Sequence, residues 1–146
     1  MCGIVGLLDL RGIDQSALAP GLSRALDRLG RRGPDGRGIW SDGRCMFGHT
    51  RLEVIDLSSA AQQPMVRDSL AITFNGEIYN YRDIRDELQQ LGHTFTTQSD
   101  TEVLLVGWHA WGAALLPRLI GMFAFALWDP RAGELVLVRD RFGKKP

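Results

Sequence analysis

Met1-Cys2-Gly3-Ile4-Val5-Gly6-Leu7-Leu8 opens the chain with a cysteine in second place and an apolar run of strand length behind it. Such a run predicts a strand over Gly3 to Asp9, buried on both faces. Because the cysteine side chain is small, methionine aminopeptidase is expected to remove Met1 and leave Cys2 as the mature terminus. That one residue then carries a thiol, with a reference pKa of about 8.5, and an α-amine near 8. The amine can accept the thiol proton and later return it to a leaving group, so nucleophile and general base arrive together. A second reading stays open, in which Cys2 is a small apolar residue at the start of a buried strand.

Working outward from this strand, Leu18, Leu22, Ala25, Leu26 and Leu29 recur at helical spacing, predicting a helix over Ser16 to Gly30 with Gly30 as its stop. Arg31 to Gly36, with two glycines flanking Pro34, reads as a loop. Strands are predicted over Gly38 to Ser41 and Cys45 to Arg51, joined by Asp42-Gly43, and the chain continues extended from Leu52 to Asp56. Ser58 to Pro64 is a loop, and Leu70 to Phe74 is a strand that ends at Asn75-Gly76. Asn80 is placed to cap a helix over Tyr81 to Leu91. Ser99-Asp100-Thr101-Glu102 fits the capping box, starting a largely buried helix through Trp111. Leu115 to Ile120 reads as a short helix, and Met122 to Trp128 and Glu134 to Arg139 as a hairpin. Paired adjacent strands with helices in blocks favour an α+β fold of antiparallel sheets over a doubly wound parallel one.

The composition narrows the function. Seventeen basic residues balance seventeen acidic ones, which leaves no net field to recruit nucleic acid or an anionic membrane. Cys2 and Cys45 make neither a disulfide framework nor a zinc-binding spacing, so no metal site is expected. His49, His93 and His109 are scattered and read as surface or satisfied core histidines. No signal peptide or membrane-length apolar run is visible, and the cytoplasm is the expected compartment. The chain stops at Arg141-Phe142-Gly143-Lys144-Lys145-Pro146 directly after a strand, which reads as a fragment of something longer.

A thiolate that attacks a carbonyl needs oxyanion donors and groups that hold the substrate. Asn75-Gly76 offers a carboxamide and an unobstructed backbone N–H, although Asn-Gly is also the commonest hairpin turn. Glu77 and Asp100 are candidates for a substrate ammonium; a solvated charge and a carboxylate at a helix start are the alternatives. Arg51 can pair with a carboxylate in two-pronged fashion or be a plain surface arginine. Two carboxylates and an arginine suit an amino-acid zwitterion.

Several strings in order extend this reading. They are Met1 to Gly6, Arg32-Gly33-Pro34-Asp35-Gly36, Gly48-His49-Thr50-Arg51-Leu52 with Ile55-Asp56-Leu57-Ser58, Gln63-Pro64-Met65, Phe74-Asn75-Gly76-Glu77-Ile78-Tyr79-Asn80, Ser99 to Glu102, Gly121 to Ala126, and Asp140 to Pro146. Together, across nearly the whole chain, they resemble the amino-terminal glutaminase domain of glutamine-dependent asparagine synthetases. The resemblance implies a class II glutamine amidotransferase domain of the N-terminal-nucleophile hydrolase type, an αββα four-layer sandwich, here incomplete at its carboxy-terminal end.

By the same resemblance Cys2 is the nucleophile, and Asn75 and Gly76 form the oxyanion hole. Arg51 holds the glutamine carboxylate, Glu77 and Asp100 its ammonium, and the backbone of Leu52, Val54 and Ile55 lines the pocket. The implied reaction forms a glutamyl thioester, releases ammonia and hydrolyses to glutamate. No cofactor is implied in this domain. ATP and magnesium belong to a carboxy-terminal synthetase domain, the expected partner, which this chain does not contain and in which ammonia amidates aspartate; a homodimer is an allowed assembly. The Ser59-Ala60-Ala61-Gln62 loop departs from relatives that carry a glycine before Gln-Pro. Amidation of another acceptor and an inactive glutamine-binding fragment remain as alternatives.

Overall fold

Side-chain alternation along two central strands organises the protein, as seen in a computed structural model that describes residues 1–146. Strand β3 (Cys45–Arg51) lies between β1 (Gly3–Leu8) and β2 (Gly36–Ser41), all antiparallel. One side of this sheet is covered by helix α1 (Gln15–Leu29), whose Leu22 packs with Ile13 and Met46. Its other side presents Cys45 and Phe47 to a second sheet, where they meet Ala71, Ala126 and Trp128.

The second sheet runs β4 (Met65–Arg67), β5 (Leu70–Ile78), β6 (Gly121–Asp129), β7 (Glu134–Arg139), again antiparallel. Alternate residues of β5 and β6, among them Ile72, Phe74, Phe123 and Phe125, point away from the first sheet. They join a cluster of 16 buried residues beneath α2 (Tyr81–Gln90) and α3 (Asp100–Trp111). The layers therefore run α1, sheet, sheet, α2 with α3: the αββα sandwich that the resemblance implies.

Several local expectations are revised. β1 is buried only at its start; Leu7 and Leu8 are exposed. α1 ends at Gly30 as expected, but this glycine keeps ordinary right-handed helical angles and the chain tightens there into a 3-10 turn through Arg32. Residues 52–56 bend instead of extending, since Arg51 turns back to the carbonyls of Asp56 and Ser58. Asn80 does not cap α2; its carboxamide accepts from Ile120 N–H and donates to the Arg118 carbonyl, tying the helix start to the approach of β6. The predicted helix at Leu115 to Ile120 is a 3-10 segment over Gly112–Arg118.

The capping box is half formed. Ser99 Oγ accepts from Thr101 N–H, but the Glu102 carboxylate turns to the backbone N–H groups of Thr96 and Thr97, to both their hydroxyls and to Arg67. It thereby fastens the loop before α3 to the edge strand β4, and these donors hold its pKa below the usual carboxylate range against the opposing effect of burial. His49 is not a satisfied core histidine: Nδ1 pairs with Thr73 Oγ1 at 3.1 Å, while Nε2, equally buried between the sheets, has no partner. Burial pushes its pKa down to about 4, so the ring is neutral.

Candidate active site

Pairing of β1 with β3 in the register Gly3↔Thr50 brings Cys2 alongside Arg51 and Leu52 at one end of the first sheet. The Cys2 sulfur accepts the Leu52 N–H at 3.3 Å and lies 3.7 Å from the Leu52 carbonyl, which a thiol proton can approach. Two further bonds fix this terminus. Gly3 N–H donates to Thr50 Oγ1 at 3.1 Å, and Arg32 Nε donates to the Cys2 carbonyl at 3.1 Å. Gly3 is required for the first: a Cβ there would stand 2.7 Å from Thr50 Oγ1 and 2.9 Å from Leu29 Cβ. Cys45, by contrast, is fully buried in apolar surroundings that push its thiol up to about 12, leaving it inert.

Opposite the sulfur stands β5. Asn75-Gly76 is not a turn and does not end the strand; it pairs with Ala124 and Phe123 of β6, and β5 continues to Ile78. Asn75 shares the inward face of β5 with Ala71 and Thr73 and is almost completely buried. At Gly76 the β6 backbone comes so close that a Cβ would stand 2.3 Å from the Met122 carbonyl oxygen and 2.6 Å from Phe123 Cα. The glycine is thus demanded by packing, and the turn alternative for this pair is excluded.

Asp100 begins α3 just beyond. Its carboxylate accepts Ile78 N–H at 3.1 Å, yet burial, together with the nearby Glu77 charge, raises its pKa to about 6. An ammonium arriving beside Glu77 and Asp100 would offset both costs.

Arg51 is 5% exposed, so it is no surface arginine. Its guanidinium is held by the Ser58 and Asp56 carbonyls and by Glu53 at 3.2 Å, facing the cavity from the bend that carries Leu52, Val54 and Ile55. All nine expected site residues, Cys2, Arg51, Leu52, Val54, Ile55, Asn75, Gly76, Glu77 and Asp100, line this one cavity.

Sequence reading left out other residues on the same wall. Gln63 accepts Phe74 N–H at 2.7 Å and donates to Thr101 Oγ1 at 3.2 Å, bracing β5 against α3. The Gln-Pro string carried that signal without a role. Lys145, in the Asp140 to Pro146 string, also reaches the cavity, beside Met1.

Comparison with known proteins supplies the context. The whole chain is 41% identical to a putative glutamine-hydrolysing asparagine synthetase of Mycobacterium tuberculosis and to asparagine synthetase 3 of Bacillus subtilis, covering 25% and 24% of those proteins. It is also 35% identical, over 99% of its length, to an amidase, chry2, of Gibberella zeae, of which it covers 23%. It thus spans about a quarter of the length of these curated relatives. In structure it matches the glutamine phosphoribosylpyrophosphate amidotransferase of B. subtilis with a TM-score of 0.73 at 23% identity, over 97% of this chain and 37% of that one. At that identity the likeness speaks for the fold. Residues 1–146 match the family described as the glutamine amidotransferase domain, and the chain belongs to it.

Proposed function

We propose that this domain hydrolyses glutamine at Cys2 and supplies the ammonia to a synthetase domain of the same full-length protein, which makes asparagine from aspartate in the cytoplasm. ATP and magnesium serve that second domain and no cofactor serves this one. The observation that carries the reading is the Cys2 sulfur under the Leu52 N–H, in a cavity that places Arg51 on one wall and the Glu77 and Asp100 carboxylates on another. These charges match the two ends of a free amino acid, and the sulfur is there to meet its side chain.

In this mechanism Met1 is removed and the Cys2 amine takes the thiol proton. The thiolate attacks the amide carbon, and the Asn75 carboxamide and Gly76 N–H receive the developing oxyanion. The amine returns its proton to nitrogen, the carbon–nitrogen bond breaks and ammonia leaves a glutamyl thioester. Water, deprotonated by the same amine, then attacks the thioester, expelling the thiolate and releasing glutamate. The test is glutamate release by full-length, Met1-processed protein. Cys2→Ala is expected to lower it at least about 10³-fold while synthesis from free ammonia persists. An uncleaved amino-terminal extension should abolish it equally, and full activity with the extension in place would refute the amine's role.

One comparison favours a second acceptor. The match to a protein named as an amidase is consistent with the same glutaminase chemistry feeding another amidation. Glutamate release with aspartate and ATP present but no asparagine formed would select this reading.

A further inference from the structure

The segment after β7 is built around a single carboxylate. Asp140 accepts the backbone N–H groups of Phe123 at 3.2 Å, Phe142 at 3.1 Å, Lys144 at 2.9 Å and Lys145 at 3.0 Å. The Lys145 carbonyl is in turn held by Arg139 Nε. Together these bonds fasten the loop to β6 and deliver the Lys145 side chain into the cavity.

Lys145 is 2% exposed. It forms no ion pair, and the partner of its ammonium is the Met1 thioether, a weak acceptor. Removing an ammonium from water without a counter-charge is costly, so a fold does not retain it there for stability. Met1 Sδ lies within one side-chain length of the Cys2 nitrogen, so loss of Met1 would leave the ammonium without its acceptor and close to a new α-amine.

We propose that Lys145 is a positioning residue for the nucleophile, its charge keeping the processed Cys2 α-amine unprotonated and so able to take the thiol proton. The inference rests on the glutaminase reading above. The other charges facing this terminus are committed elsewhere or lie at the substrate end. Arg32 donates to the Cys2 carbonyl, and Arg51 is engaged by Glu53 and two carbonyls. The Asp56 carboxylate accepts from Ser58 and Gln98, and Glu77 and Asp100 sit together across the cavity. Lys145 is the uncommitted cation, and a positive charge close to an amine disfavours its protonated form.

The test follows alkylation of Cys2 by iodoacetamide against pH in Met1-processed full-length protein, with buried Cys45 as the unreactive internal control. The parent, Lys145→Met, Lys145→Gln and Lys145→Arg are compared, and the acid limb of the glutaminase rate is recorded alongside. The alkylation midpoint is expected to rise by about one pH unit in both neutral variants and to return toward the parent value in Lys145→Arg, with the acid limb moving the same way. Superimposable alkylation profiles overturn the proposal, and so does loss of folding in both neutral variants, which would make the lysine structural. A shifted alkylation midpoint in a protein that never releases glutamate would sustain Lys145 and refute the glutaminase reading.

Discussion

The two walls of the cavity are built to different standards. The β5 wall, bearing Asn75 and Gly76, lies over 16 mutually packed buried residues beneath two helices. The β1 wall, bearing Cys2, is backed by one helix and a cluster of three, and its outer half faces solvent. The oxyanion donors thus sit on stiff strand backbone, whereas the nucleophile's terminus is held by separate hydrogen bonds, one from Gly3 N–H to Thr50 and others from Arg32 and Leu52. Groups that stabilise a transition state gain from a fixed position, because no reorganisation is then needed during reaction. A terminus that must be trimmed, attack, and later release its product is better held by contacts that can open singly.

Asn75→Ala strikes the stiff wall at its chemistry and should have the largest effect among tests of this contrast. Glutamine turnover is expected to fall by about 10²–10³ with KM changed much less, measured by glutamate release. An equal loss spread over KM alone would mean that Asn75 only binds.

Gly76→Ala and Gly3→Ala then compare the walls directly. The new Cβ at Gly76 meets β6 backbone at 2.3 Å, which cannot retreat without parting the sheet, so a loss of about 2–3 kcal/mol in unfolding free energy is expected. At Gly3 the obstacles are the side chains of Thr50 and Leu29, and about 1–2 kcal/mol is expected. Denaturant titration of both variants decides, and a larger loss at Gly3 would reverse the comparison.

Asp100 adds a pH dependence. Asp100 has its pKa raised to about 6 in the folded state against 3.8 ordinarily, so between those values the native state holds a proton that the unfolded chain has released. Unliganded stability should therefore fall as pH rises from about 4 to about 6, by on the order of 3 kcal/mol, and then level off. A bound ammonium prefers the ionised form, so the glutamine KM should fall over the upper part of the same window. Asp100→Asn is expected to flatten both profiles, followed by denaturation and by KM against pH.

The sequence made the site more legible than the backbone around it. The strands bearing Cys2, Arg51 and Asn75 follow from apolar runs and alternation, and the ordered strings place nine residues that the fold gathers into one cavity. Where local rules misled, a distant partner had intervened. Asn-Gly has the composition of a turn, but β6 lies across it and continues the ladder. Glu102 and Asn80 have capping signatures, but Thr96, Thr97 and Ile120 compete for their side chains. The three residues of β4 are too few to show periodicity. Lys145 has no role in the sequence reading, because it is the bond from its N–H to Asp140 that turns its backbone inward.

β1 lies at the border of its sheet, with β3 on one flank and no strand on the other. Met1, at the outer end of that border, is about half exposed. About half of Met1 therefore stays open to solvent after the sandwich has closed. On the proposed mechanism, a folded but untrimmed pool of this protein would be a dormant reserve, switched on by a single irreversible cut.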